Sequence, residues 1–346
     1  MSIFFHSMPS WIQLVSMAFC AGTLVCLLWV LPLSIDTDNY LLTRMWYSFG
    51  ICIFVIIAGS AADLLLRAAE MSGKPLQTVF PVLPTILLKT HFGRVWLIRI
   101  VSLLLLGAVF STGKQRRNSR AFLFITLGIG VIISMTESAS GHASDAGDFS
   151  IAEIIDWLHL LAALVWGGGL FVLSAVIMPV ITQKGEQGAV RISGAAHRFS
   201  QIAGIAVGVV LLTAIYNTWF YVGSVKALLT SPYGQIVVVK IILFLVLLNL
   251  GAFNRYITVP LLLEWGGSPV ENRGMINTIA AHIRTRFRSA QNGHQIALWF
   301  RRSVRVEAIL IIGVLLCVAL LQHKVPGRHF MHIKHGVSMG HHPGIE

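Results

Sequence analysis

Apolar residues in this chain gather into eight long stretches that lack the alternation typical of membrane strands. Most are about 18 to 25 residues long, which is the length an α-helix needs to cross the hydrocarbon core of a bilayer. The pattern therefore predicts an all-α integral membrane protein, a bundle of about eight transmembrane helices. The stretches run near 11–33, 45–69, 94–112, 121–139, 151–181, 200–222, 235–254 and 304–322.

Short connections between most stretches favour one antiparallel bundle, which we assign to residues 1–322. Two connections are longer. Pro75, Pro81 and Pro84 prevent a single continuous helix within 70–93, so a surface-lying piece is expected there. The stretch from Met275 to Arg288 has the pattern of an amphipathic helix lying along the membrane surface.

Composition agrees with a membrane protein, since 12% of the residues are charged against about 25% in soluble domains. The net charge of +12 comes largely from Lys and Arg in the connections 34–44, 113–120, 182–199 and 255–305. The positive-inside rule places these connections in the cytoplasm and both termini outside it. Because topology and contacts with the lipid bilayer account for the charge, no nucleic acid partner is expected.

Cysteine and nucleotide motifs narrow the function classes. All four cysteines fall in predicted helices without a C-x-x-C pair, so neither a disulfide framework nor a zinc site is indicated. No Walker motif is present, which argues against ATP-driven pumping by this chain. We expect no enzymatic activity.

A cluster of ionisable residues spans the end of the fourth stretch and the start of the fifth. Glu153, Asp156 and His159 are spaced by three residues, so on a helix they share one broad face. Glu137 and His142 precede them within the same short region. Ionisable side chains in a membrane helix are costly and are usually kept because they face a bundle interior, a partner or a metal. We predict that these five residues converge as a metal-ion site.

Further polar residues are predicted at the same depth, and each also has a simpler interpretation. Asp63 and Arg67 form an i, i+4 pair that can neutralise itself. Threonine and asparagine in the sixth stretch can hydrogen-bond between helices, and Arg99 and Lys240 can serve as counter-ions for the acids. The whole set is Asp63, Arg67, Arg99, Thr213, Asn217 and Lys240.

The polar C-terminal segment 323–346 is rich in histidine and methionine and is predicted to lie in the periplasm. His329, Met331, His332 and His335 are its candidate metal ligands. Imidazole binds copper, zinc and nickel, while thioethers favour Cu(I), so a mixed set without cysteine points to a copper ion.

The segment from Leu158 through His159 to Trp166-Gly-Gly-Gly resembles the CopD copper-resistance family. Similar stretches follow in order, and the resemblance covers about residues 135–320. They are Arg198-Phe-Ser-Gln-Ile-Ala-Gly204, Thr213-Ala-Ile-Tyr-Asn217, and Lys240 followed by Asn254-Arg255 and Pro260. The resemblance implies copper handling at the bacterial inner membrane, a periplasmic CopC-like copper-binding partner, and His159 as a candidate copper ligand.

Three functions remain open at this point. The leading hypothesis is copper transport, in the direction of import, with capture at the His/acid site and the tail. A copper-binding or copper-delivery factor that faces the periplasm without transport fits the same residues. A haem b electron-transfer protein is the third, and it needs paired histidines deep in facing helices.

Overall fold

The computed structural model describes residues 3–31, 39–117, 119–181, 185–267, 270, 275–288, 293–326 and 328. Within these residues, eight helical spans are long and apolar enough to cross a membrane. This confirms the predicted all-α, multi-pass fold. The spans are His6–Val30, Asn39–Ser72, His91–Thr112, Arg120–Ala139, Ile151–Ile181, Arg191–Val222, Pro232–Trp265 and Gln295–Leu321.

Thirteen α-helices build these spans and the pieces between them in the described part of the chain. They are α1 (Ile3–Val25), α2 (Asn39–Ser72), α3 (Leu83–Lys89), α4 (His91–Thr112), α5 (Arg120–Ala139), α6 (Ile151–Val172), α7 (Met178–Ile181), α8 (Gly185–Val222), α9 (Val225–Thr230), α10 (Pro232–Phe253), α11 (Val259–Trp265), α12 (Met275–Arg288) and α13 (Gly293–Leu321). π-Helical turns continue α1 and join α6 to α7 and α10 to α11, at Cys26–Val30, Leu173–Ile177 and Asn254–Thr258.

Several helices begin earlier than their apolar stretches predict. α8 begins at Gly185 and α13 at Gly293, each more than ten residues before the predicted start. Hydropathy detects only the apolar part of a helix, and the added turns carry polar and basic residues. α1 likewise begins at Ile3 because Ser7 and Ser10, polar in sequence, are buried against other helices.

Both long connections match the expected local structure. After α2 ends at Ser72, two 3-10 turns and α3 fill the proline-containing connection. The predicted amphipathic segment forms α12 with the predicted bounds. Its position relative to a membrane surface stays a prediction.

α1 and α6 cross at the centre of the bundle through glycines. A Cβ built on Gly168 would lie 1.7 Å from the carbonyl oxygen of Ala18, and one on Gly22 would lie 2.0 Å from the Gly168 backbone. Helix backbones come this close only where side chains are absent. A Cβ on Gly169 would clash with the Phe199 ring, and one on Gly167 would clash with the Ile311 side chain. The Trp-Gly-Gly-Gly stretch therefore lets α1, α8 and α13 all pack closely on α6.

The helix directions define two ends of the bundle. We call the end that contains the 140–150 connection the His142 end, and the opposite one, with the 113–119 connection, the Arg117 end. α1, α4, α6 and α10 begin at the His142 end, and α2, α5, α8 and α13 finish there. The assignment of the His142 end to the periplasm rests on the positive-inside rule and stays a prediction.

Candidate metal-handling site

A cavity of about 200 Å³ lies between α6, α8, α10 and α13, with the 140–150 connection at its outer end. Asp156, His159, Asn217 and Lys240 supply much of its polar lining. Its deep end is apolar and is closed by Trp166, Phe244, Leu247 and Ile311. The cavity thus offers polar ligands towards the His142 end and an apolar floor towards the Arg117 end.

The His159 imidazole is held in one orientation by α8. Its Nδ1 lies 2.9 Å from Oγ1 of Thr213. The Thr213 hydroxyl donates to the Val209 carbonyl at 2.6 Å, so it accepts the hydrogen bond from Nδ1–H. Nε2 therefore carries the lone pair, which is the form of imidazole that binds metals. The Lys240 ammonium lies 3.4 Å from this Nε2 and donates towards it.

Asp156 lies one turn before His159, and its carboxylate is shared between helices. Its Oδ2 accepts a hydrogen bond from Ser138 at 2.8 Å, and its Oδ1 accepts one from Nδ2 of Asn217 at 3.3 Å. Reversing the Asn217 amide would place two oxygens together, so the assigned orientation follows from the network. The buried Oδ1 of Asn217 is then left without a hydrogen-bond partner among the described residues.

His142 lies at the outer end of the cavity. Its Nδ1 is 3.9 Å from Oδ2 of Asp145, and its Nε2 is buried with no hydrogen-bond partner in the described ranges. Burial lowers the pKa of His142, with Arg67 acting in the same direction, and this outweighs the opposite effect of Asp145. The imidazole is therefore neutral at pH 7, as a metal ligand must be.

Glu137 reaches the cavity wall, but its carboxylate is fully engaged. Its Oε2 lies 3.1 Å from Nη1 of Arg99 and accepts a hydrogen bond from Nε2 of Gln13 at 2.8 Å. Its Oε1 accepts a hydrogen bond from Nε2 of Gln322 at 3.2 Å. Arg99 is 1% exposed and also donates to Thr136. The predicted counter-ion function of Arg99 is confirmed, and Glu137 has the surroundings of a structural acceptor.

Glu153 faces a different direction from Asp156 and His159. It is 2% exposed, and its Oε2 accepts a hydrogen bond from the Phe149 amide at 2.5 Å. The Glu153 amide in turn donates to Oγ of Ser150, the N-cap of α6. The Ser150 hydroxyl thus satisfies an otherwise unpaired amide of the first turn, while the Glu153 carboxylate accepts from the amide just before the N-cap. The Ser-x-x-Glu pattern was a sequence signal for this capping arrangement, and Glu153 is not among the cavity-lining residues.

The remaining predicted residues divide into three groups. Thr213, Asn217 and Lys240 join the His159 centre, whereas Asp63 and Arg67 form their own ion pair, 3.7 Å apart. The tail candidates lie outside the described residues; they are His329, Met331, His332 and His335. Over the described ranges, no group of three or more His, Cys, Asp or Glu side chains is placed to hold a metal ion. Within the described residues, the cavity therefore offers separate polar side chains rather than a closed set of metal ligands.

Sequence reasoning overlooked three contributors to this region. Ser138 binds Asp156, while Tyr221 and Tyr233 line the cavity. Tyrosines near membrane surfaces are usually interpreted as interfacial anchors. A single serine in an apolar helix gives no sequence signal that it binds a carboxylate.

Two family models match this chain. The model of the copper resistance protein D-like N-terminal domain matches residues 7–151. The model of copper resistance protein D matches residues 193–321. Together they cover most of the bundle and leave most of α6 between them.

Three curated proteins are similar to the chain. Copper transport protein CutJ of Bacillus subtilis (strain 168) is 29% identical over 174 residues, which are 50% of this chain and 32% of that protein. Copper resistance protein D of Pseudomonas syringae pv. tomato is 27% identical over 206 residues, 58% and 65% of the two chains. Inner membrane protein YebZ of Escherichia coli (strain K12) is 28% identical over 204 residues, which are 58% of this chain and 67% of that protein. The matches thus span less than two thirds of the first two proteins' length. No solved structure matches the chain significantly.

Proposed function

Because this chain belongs to the copper resistance protein D family, we propose that it imports copper across the bacterial inner membrane. Copper is the cargo, and it is received from the periplasm at the His142 end. The observation that carries this proposal is the orientation of His159, whose metal-binding Nε2 is turned towards Lys240 at the cavity wall. Three names of similar proteins, a copper transport protein, a copper resistance protein and an inner membrane protein, support the cargo and the location.

The donors along the cavity suit an ion that passes rather than one that stays. His142 offers an unpaired Nε2 at the outer end of the cavity. His159 offers a second imidazole further in, because each residue of α6 adds about 1.5 Å along the helix axis. Asp156 adds negative charge between them, which attracts a cation. Separate ligands of this kind bind a cation more weakly than a closed cage, so each step is reversible.

Lys240 gives the His159 site a charge gate. The ammonium donates to the same lone pair that a copper ion needs. A cation at Nε2 must therefore displace the Lys240 ammonium. Asp156 must then neutralise the charge of the displaced lysine. We infer that the lysine holds the empty site in a neutral, hydrogen-bonded state and is displaced when copper arrives.

A second candidate function is copper binding and delivery at the periplasmic face without transport. The apolar floor of Trp166, Leu247 and Ile311 favours it, because the described residues that line the cavity below His159 are apolar. A soluble CopC-like copper-binding protein as donor or acceptor is part of either proposal.

The haem alternative has weaker support. Pockets for drug-sized ligands are about 300–1,000 Å³, and this cavity measures about 200 Å³. His159 is engaged by Thr213 and Lys240, rather than facing a second histidine across the cavity.

Copper flux into proteoliposomes that contain the full chain tests the proposal. The His159→Ala variant should lose most of the flux, whereas His197→Ala should retain it. His197 is a matched control, since it lies on α8 towards the Arg117 end and contacts Gln201. Normal flux in the His159 variant would overturn the mechanism. Copper binding to wild-type protein without flux would select the delivery function.

A further inference from the structure

Two histidines from opposite ends of the chain meet just outside the cavity. His6 lies in the first turns of α1, and His323 follows the last residues of α13. Their ring centroids are 6.4 Å apart, with the planes inclined by 61°. Neither residue belongs to the His159 centre, and neither lines the cavity.

The free nitrogens of this pair are available for a ligand. Nε2 of His323 is buried and has no hydrogen-bond partner among the residues described. Nε2 of His6 lies 3.9 Å from the Glu70 carboxylate, beyond hydrogen-bond distance.

The separation of the two rings suits one metal ion between them. Metal–imidazole bonds are about 2.0 Å long, so two rings on opposite sides of one ion have centroids roughly 6 Å apart. The observed separation of 6.4 Å requires only side-chain rotation to reach that arrangement. Two imidazoles are donors that copper accepts.

The pair also lies beside the next ligand inward. Gln322, the neighbour of His323, donates to Glu137 at the cavity wall. His142 interacts electrostatically with His323 and carries its own buried, unpaired Nε2. An ion held by the pair is therefore adjacent to the outer end of the cavity.

We propose that His6 and His323 form a separate two-coordinate copper-binding site that passes the ion to His142. This inference rests on the proposed function for the identity of the ion. The site also joins the start of α1 to the segment that follows α13, so a bound ion clamps the two elements together.

Thermal unfolding of the detergent-solubilised full chain, with and without Cu(I) under anaerobic conditions, tests the site. Ligands that bind only the folded state raise the midpoint, and saturating Cu(I) should raise it by on the order of 5 °C. Most of this rise should vanish in His6→Ala and in His323→Ala. His91→Ala is the matched control and should keep it, because His91 lies at the same end but pairs with Asp148 at 2.8 Å.

Methionine variants keep the site testable if the alanine variants do not fold. Met supplies a thioether that binds Cu(I), so His6→Met and His323→Met should keep at least half of the rise. A full rise in the alanine variants, or none in folded methionine variants, would overturn the site. His159→Ala separates the two proposals, since it should lose copper flux while keeping the rise in midpoint.

Discussion

Two buried polar centres lie next to each other at the His142 end and differ in how their hydrogen bonds are used. Around Glu137, both carboxylate oxygens are taken by Arg99, Gln13 and Gln322. Around His159, the imidazole Nε2 faces a displaceable ammonium, and the nearby Asn217 Oδ1 has no partner among the described residues. The first centre is saturated and the second is not.

The contrast teaches how to separate structural from functional charges inside a membrane bundle. Both centres contain an acid and a base, and both are costly to bury. A saturated network rigidifies the fold, whereas unpaired lone pairs beside a cavity leave capacity for a ligand. The predictions below test that distinction.

The largest effect is expected in the saturated centre. Glu137→Gln leaves the Arg99 charge buried without its partner, which should cost about 3–5 kcal/mol of stability. Asp156→Asn should cost about 1 kcal/mol, because the new side chain still accepts a hydrogen bond from Ser138. Denaturation in detergent measures both. Equal losses would mean that the two centres do not differ as described.

A smaller effect is expected where α8 orients the imidazole. Thr213→Val removes the acceptor for Nδ1–H, so the ring loses its fixed tautomer and copper affinity should fall about 10- to 100-fold. Copper titration of the purified protein measures the change. Thr126→Val is the matched control, since Thr126 is buried and makes the same hydrogen bond one turn back. An unchanged affinity in the Thr213 variant would contradict the assigned orientation.

Lys240 provides a test with the opposite sign. Lys240→Met removes the ammonium that competes for Nε2, so copper should bind about tenfold tighter while flux falls because release slows. Lys226→Met changes an exposed lysine at the same end and should alter neither quantity. Weaker copper binding in the Lys240 variant would argue against the charge gate.

The smallest effect is a dependence on acidity. The folded-state pKa values of His142 and His323 lie below the unfolded value of about 6.5. The unfolded chain therefore binds more protons as the pH falls, and the stability from these groups, complete above about pH 6.5, is lost below it.

The groups that face these histidines are Asp145 and Arg67 for His142, and Arg67, Glu70, His6 and His142 for His323. Unfolding midpoints at pH 7.5 and 5.5 measure the loss. Replacing both histidines by glutamine should flatten the dependence, and an unchanged slope would contradict the assignment.

The sequence predicts the eight spans well because membrane thickness fixes their length. It predicts their ends less well, as at Gly185 and Gly293, because helices continue through polar turns that hydropathy does not detect. Helical periodicity places Asp156, His159 and Trp166 along one cavity.

The depth of a polar residue is readable from sequence, but the rotation of its helix is not. Arg99 and Lys240 were predicted at one level, yet Arg99 faces Glu137 and Lys240 faces His159. Contacts such as that of Gly168 with Ala18 set this rotation, and they depend on packing rather than on hydropathy. The His6–His323 pair was missed for a related reason, since only the closed bundle brings the two ends of the chain together.

The glycine crossing of α1 and α6 has a consequence for biogenesis. Gly22 and Gly168 are separated by 146 positions, the difference of their numbers. At about 5–20 residues per second of translation, a nascent α1 spends roughly 7–30 s in the bilayer before α6 leaves the ribosome. Throughout that interval the Gly22 surface of α1 faces lipid or the insertion machinery. Final assembly of the bundle must therefore begin after the middle of the chain has been made.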